Sequence, residues 1–442
     1  MVFISGVPVL LLGILNRFSI YPLSYMGVDD SFISTMGNIN WYGGYLVFVF
    51  AVALGAFLCG RSAVKRFFAA ILLILSFGSL VTQGSDGTTL AFAVGFLAAC
   101  IGACRMEKRA GSGTAAAEHS GSGTDAAKHS GSGTVAAKHS GSGIAAAKHS
   151  GSGTVAAKHS EHGPAAVESV GSGAAASKAA VLDPAARLIL LIAFLGILLE
   201  IYGVLSAVYP HSVISEDINF WFTPARFHVG LILIALCIVC MVFRRTLKRL
   251  RVLTLVVSLA ALAFGALALI LIVVSAAVPD TFVFTGNARA FPALAINDTF
   301  GNDRGAIWRI SGDFFRSLST VRKLFGVGPD CYSSYGYLDP VISMELVTTF
   351  GTARLTNAHC GFFTLLINEG ICGALSMAVF YAACWISLFR ALRRGFHVVP
   401  AGDDAPEITL SAFVALTALL AFWSISFSTV CSLPLLLLLM AI

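Results

Sequence analysis

The chain has 442 residues, of which 57% are hydrophobic and only 12% charged, and its mean hydropathy is +0.84. Several apolar runs reach the roughly 17 to 25 residues needed to cross a bilayer, which excludes a soluble globular protein and indicates a polytopic membrane protein. The net charge of +6 sits mainly in short clusters beside those runs, so it speaks to topology and argues little for nucleic acid.

In chain order, spans are expected near residues 3–20, 41–60, 67–83, 88–104, 185–208, 227–243, 252–278, 361–389, 408–424 and 425–442, about ten in all. They are read as helices because lipid offers the backbone no hydrogen-bond partners. The fold class is thus all-α: a polytopic integral membrane protein with a large helical extracytoplasmic loop. Pro434 interrupts the last pair of spans, whose apolar run is nearly continuous. The first run has no basic segment before it and no clear small-residue cleavage site, so it reads as a span and not as a cleavable signal. Four basic clusters, around Arg61–Arg66, Arg105–Arg109, Arg244–Arg251 and Arg390–Arg394, fall on one side of this map. Short cytoplasmic loops are enriched in Lys and Arg, so both termini are expected inside and residues 279–360 outside.

The chain divides into amino-terminal helices (1–104), a cytoplasmic linker (105–183) and a carboxyl-terminal membrane domain (184–442). Residues 111–160 are five ten-residue units, from GSGTAAAEHS to GSGTVAAKHS. Their Gly/Ser and Ala content gives too little apolar surface to offset the entropy of ordering, so the tract reads as a spacer. The recurring His119, His129, His139, His149 and His159 could at most hold a metal weakly. Eight of the ten cysteines fall in apolar spans, where a thiol behaves as a small hydrophobe. Cys331 and Cys360 lie in or beside the outside loop, where a bridge is chemically allowed, but spacing alone leaves their pairing open.

The loop 279–360 exceeds what a connector needs; loops of that size are functional or disordered, and its aromatic and apolar content argues for an ordered one. From Arg304 to Phe325, the residues Ile307, Ile310, Phe314, Leu318, Val321 and Phe325 recur at helical spacing, with Arg309, Arg316 and Lys323 on another face. This pattern predicts an amphipathic helix lying against the outer leaflet, with Arg316 and Lys323 at lipid headgroups and Arg304 off that stripe, free to point into a site. Next, His359 stands where the loop becomes a span, and an imidazole is the side chain best suited to proton transfer near neutral pH. A helix start also uses such residues as caps, and that alternative stays open. His359, Phe363, Leu366, Gly370 and Gly373 share one helical stripe, on which the two glycines would allow close helix packing. Glu369, and less so Glu200, places a carboxylate in an apolar segment, where it is either functional or held by a neighbouring helix.

Four short elements carry a resemblance: Arg304-Gly305-Ala306-Ile307-Trp308, Gly326-Val327-Gly328, Ala358-His359-Cys360, and Asn368-Glu369-Gly370-Ile371-Cys372-Gly373. In order and placement they resemble the O-antigen ligase and polymerase superfamily, with its Arg-x-x-x-Trp, Gly-x-Gly, His-Asn and Glu-x-Gly-x-x-Gly elements. Gly37-Asn38-Ile39-Asn40 resembles the family's start of an early span, and Gln83 to Gly87 stands where many members have Ser-Arg-Gly. Three departures stand out. Cys360 replaces the usual Asn, Asp86 replaces an arginine, and the chain has about two fewer amino-terminal helices than members usually do.

The resemblance implies an inverting glycosyltransferase in the cytoplasmic membrane, with an extracytoplasmic site that needs no metal or cofactor. It would move sugar from a polyprenyl-diphosphate-linked glycan to a hydroxyl on a glycan, lipid or protein acceptor. His359 would be the base; Arg304, with Arg309 or Arg322, would stabilise the departing diphosphate. Asn357, Glu369 and Asp86 would support them. A lipid-linked glycan transporter and a catalytically inactive relative remain as alternatives. A transporter would carry duplicated spans and scattered midplane charges, a pattern this sequence lacks.

Overall fold

The structure, a computed structural model, describes residues 2–17, 20–23, 34–60, 62–83, 85–119, 184–208, 229–243, 298, 300–352, 354–394, 405–429 and 431–441. Every regular element among them is a helix. Four helices are long and apolar enough to cross a membrane, namely α2 (Ile39–Cys59), α3 (Ala63–Gln83), α11 (Gly361–Arg394) and α12 (Ala405–Ile425). The other expected spans within the described residues fall on α1 (Val2–Arg17), α4 (Asp86–His119), α5 (Pro184–Val208), α6 (Val229–Phe243) and α13 (Leu433–Ala441). The span expected at 252–278 and most of the repeat tract lie outside the described residues.

The chain forms two units: Met1–Gly113 together with Leu182–Ile442, and Thr114–Val181. In the second, only the end of α4 is described. That helix runs past the expected boundary at 104, through the first repeat, to His119. The sequence Met106 to Ala110 and the Ala115–Ala117 run are good helix formers, and they continue the turn that the span begins.

α2 is the axis of the first unit. Asn38 starts it by accepting the amides of Asn40 and Trp41 at 2.8 and 3.3 Å, the usual task of an N-cap side chain. Fifteen of its 21 residues are buried, against α3 on one flank and α12 on another. Glycine allows the close α2–α12 approach: Gly43 and Gly44 face Phe422, and Gly55 faces Ser411. A second close pair joins α5 and α6 where Gly196 meets Gly230. There the Glu200 carboxylate accepts the Leu231 amide at 2.9 Å. Glu200 therefore satisfies a helix amino terminus, which accounts for a carboxylate in that apolar segment.

The loop expected to be large folds in its described part into α7 (Phe300–Ser317), α8 (Thr320–Phe325), α9 (Tyr332–Gly336) and α10 (Pro340–Phe350). The single helix expected from 304 to 325 is broken at Leu318–Ser319. Its apolar face is also turned inward. Ile310, Phe314 and Leu318 are buried in a small core with Tyr332, Ile342, Leu346, Ala358 and Ile367. These residues find protein partners and so are not available to lipid, which leaves only α8 of the expected surface helix.

The candidate active site

Local geometry places His359 ahead of α11 and not on its helical stripe. Its φ of 49° is left-handed, a conformation histidine adopts more readily than most residues but at some cost. The surrounding bonds hold it there. The His359 amide donates to Asn357 Oδ1 at 2.9 Å, the Ala358 amide to Thr364 Oγ1 at 3.1 Å, and Thr364 Oγ1 to the Cys360 carbonyl at 2.9 Å. The half-buried imidazole meets the ring of Phe427 edge-on at 5.5 Å. Behind it, Gly361 packs on Trp423.

Arg304 reaches the same place from α7. The residue before it, Asp303, is also left-handed, with φ 64°. Burial pushes the His359 imidazole below its ordinary pKa, and the Arg304 charge pushes it further. Both causes favour the neutral ring, the form that can accept a proton. The expected pair is thus brought together, and Asn357 supports it through the backbone.

Several buried polar atoms without partners belong to residues beside this pair or its packing neighbours in the chain. Trp308 Nε1 lies one helical turn beyond Arg304, Trp423 Nε1 belongs to the residue under Gly361, and Ser426 Oγ adjoins Phe427; all three are buried without a hydrogen-bond partner, as is Asn368 Oδ1. Buried groups left this way are costly and uncommon, and they are places where a polar ligand can bind. Phe362, beside the site, also lines an apolar groove of about 490 Å³ with Tyr381, Trp385 and Leu420.

The two glycine elements of the sequence meet each other. The amides of Val327 and Gly328 donate to the carbonyls of Ile367 and Asn368 at 3.0 and 2.9 Å. α11 is kinked at Gly370 (φ 69°, ψ −174°), a backbone region essentially limited to glycine. A side chain there would strike the backbone of Leu324 and Gly326, and one on Gly326 would strike Asn368 and Glu369. Gly370 therefore allows the close approach of α8 to α11, and the stripe from His359 to Gly373 is interrupted there.

The remaining candidates are placed less centrally. The exposed Arg309 is bound to Asp298 at 3.2 Å and Glu345 at 3.2 Å, and Arg322 lies over the Tyr335 ring at 4.2 Å. Arg316 pairs with Asp313, where a headgroup contact was expected. Glu369 sits half-buried beside the kink. Asp86 begins α4, and its neighbour Gly87 packs on Phe422 and Ile425, so its backbone lies at the same end of α12 as Phe427. Cys331 and Cys360 are both free thiols. Burial pushes the Cys360 thiol up while the amides of Phe363 and Phe362 oppose the shift, which puts the sulfur at the head of α11, where the expected Asn would cap. Sequence reasoning missed Arg354, which donates to Ser333 Oγ at 2.9 Å and lies over Tyr337, and it missed residues 423–428. The polar run Ser424, Ser426, Ser428 and Thr429 was the available signal: it interrupts the apolar stretch where α12 ends. Among the described residues no cluster of three or more His, Cys, Asp or Glu side chains gathers to hold a metal.

No protein-family model, curated protein or solved structure matches the chain.

Proposed function

We propose that this chain is a membrane glycosyltransferase of the O-antigen ligase type, a multi-pass protein of about ten spans whose site faces away from the cytoplasm. One observation carries the reading: a half-buried imidazole, fixed in a strained turn and biased towards its neutral form, stands beside an arginine. In the proposed reaction, the acceptor hydroxyl oxygen bonds to the anomeric carbon of the donor sugar as the bond from that carbon to the diphosphate oxygen breaks. The electron pair leaves with the lipid diphosphate, and the hydroxyl proton passes to His359 as general base. The Arg304 guanidinium stabilises the charge growing on the diphosphate. Arg304 is assigned the main part of this work because its charge acts on His359. Attack from the face opposite the leaving group inverts the anomeric centre. The groove beside Phe362 gives the carrier's apolar chain a place next to the site.

The test is transfer of glycan from a purified polyprenyl-diphosphate-linked donor by the reconstituted full chain, together with the lipid-linked glycans that accumulate when the gene is deleted. Transfer in vitro and accumulation in vivo are expected. Accumulation on the cytoplasmic leaflet alone, with no transfer in vitro, would favour a transporter instead.

A further inference from the structure

α11 indicates how deep its neighbours lie. Beyond the kink at Gly370, residues 371–389, up to the basic cluster at Arg390, form a helix of about 28 Å at 1.5 Å per residue, close to the roughly 30 Å hydrocarbon layer. If this stretch is what crosses the bilayer, the kink falls near the edge of the hydrocarbon layer, and whatever is tied to it lies at that depth. α8 is so tied: its last turn abuts Gly370 through Leu324, and the segment after it hydrogen-bonds to Ile367 and Asn368.

α8 also has the surface of an element in contact with lipid. Val321 is 67% exposed, Phe325 66% and Leu324 39%, although the apolar face of the preceding helix is buried. Lys323 lies in its last turn. Apolar and aromatic side chains flanked by a long basic one, at the end of a span, fit the interfacial zone, where the lysine stem lies along apolar surface and its ammonium reaches headgroup phosphates.

We propose that α8 is an interfacial anchor, which inserts Val321, Leu324 and Phe325 into the lipid at the boundary between headgroups and acyl chains. The occupant of this face is the bilayer itself. The anchor would hold α7, and with it Arg304, at headgroup depth. It does not depend on the enzymatic reading, since a transporter or an inactive relative could use the same anchor.

The experiment places a fluorescent dansyl amino acid at Phe325, and separately at Val321, in the full chain reconstituted into phosphatidylcholine–phosphatidylglycerol vesicles. A probe at the exposed Ser334 serves as reference. Probes at 325 and 321 are expected to be quenched several-fold more by nitroxide-labelled lipid than by aqueous iodide, and the 334 probe in the reverse order. Iodide quenching at 325 and 321 like that at 334 would overturn the anchor by placing α8 in water. Protection from both quenchers would overturn it as well, by showing that protein from this chain or a second copy covers the face. Neither result would touch the proposed transfer reaction, which is read by a separate assay.

Discussion

The two ends of the helical bundle treat charge and polarity differently. At the end where α2 finishes, Lys65 meets the buried Glu407 at 2.9 Å, Arg66 donates to the Gly60 carbonyl at 2.9 Å, and Arg187 donates to the Leu58 carbonyl at 2.8 Å. Cations close to a helix carboxyl terminus satisfy its last carbonyls and its dipole, so these groups hold α2, α3, α5 and α12 together. At the other end Gln83 still ties α3 to Ile39 at 2.8 Å. Around His359, however, buried polar atoms lack partners and two residues adopt left-handed backbone. One end uses its polar groups for cohesion, and the other holds strain and unmet hydrogen bonds, as sites of binding and chemistry do.

The largest effect that would test this contrast is at the strained end. His359→Ala and Arg304→Ala should each lose roughly 2 to 4 kcal/mol of transition-state stabilisation, with normal insertion and an unchanged melting temperature. Arg304→Lys should stay impaired, because an ammonium lacks the planar pair of donors. Full transfer by His359→Ala in the lipid-linked donor assay would leave His359 as a cap only.

At the cohesive end the effect should appear as lost stability and not as lost catalysis. Lys65→Met leaves Glu407 buried beside an apolar side chain, and because Lys65 is partly exposed the loss should be about 1 to 3 kcal/mol. Thermal unfolding in detergent would show it, while transfer per folded molecule should be unchanged. A fall in specific activity of the same size as that of Arg304→Ala would erase the distinction between the ends. Gly370→Ala should affect both properties, since a side chain at φ 69° costs about 1 to 3 kcal/mol in backbone strain and would part α8 from α11. A variant with wild-type stability and activity would mean that the contact is not made.

The subtlest test is the pH profile. Since burial and the Arg304 charge lower the His359 pKa, the ring should stay unprotonated until the pH falls below the ordinary imidazole range. Transfer should then hold steady through that range and drop only on the more acid side. Arg304→Gln removes one of the two causes, so it should move the acid limb to higher pH. A limb already at or above the ordinary imidazole value in the wild type would show that the site is wetter than it looks.

How much could be read in advance differs between the same regions. α2, α3 and α12 were legible because apolar length alone specifies a span, and helix bounds moved by only a few residues. His359 and Arg304 were legible as residue types at informative places. The inward turn of α7 was not, because an amphipathic face gives the same signal whether it meets lipid or a small protein core. Pairing was hidden for a similar reason: Gly326 and Gly370 are far apart in sequence, and a lone glycine does not reveal which backbone will approach it. The partners of Arg309 and Arg316 were hidden as well, because a charge in sequence shows no partner, whereas in the structure Asp298, Glu345 and Asp313 pair with them.

The grip of Arg187 on the end of α2 bears on inheritance. The tract at residues 111–160 is built of ten-residue units, so a change in unit number alters only its length. Doubling the length of a connecting segment adds only about 0.6 kcal/mol to the cost of closing it, while α5 is held to the end of α2 through Arg187. Lineages can therefore differ in repeat number while the spans, and the histidine beyond them, stay where they are.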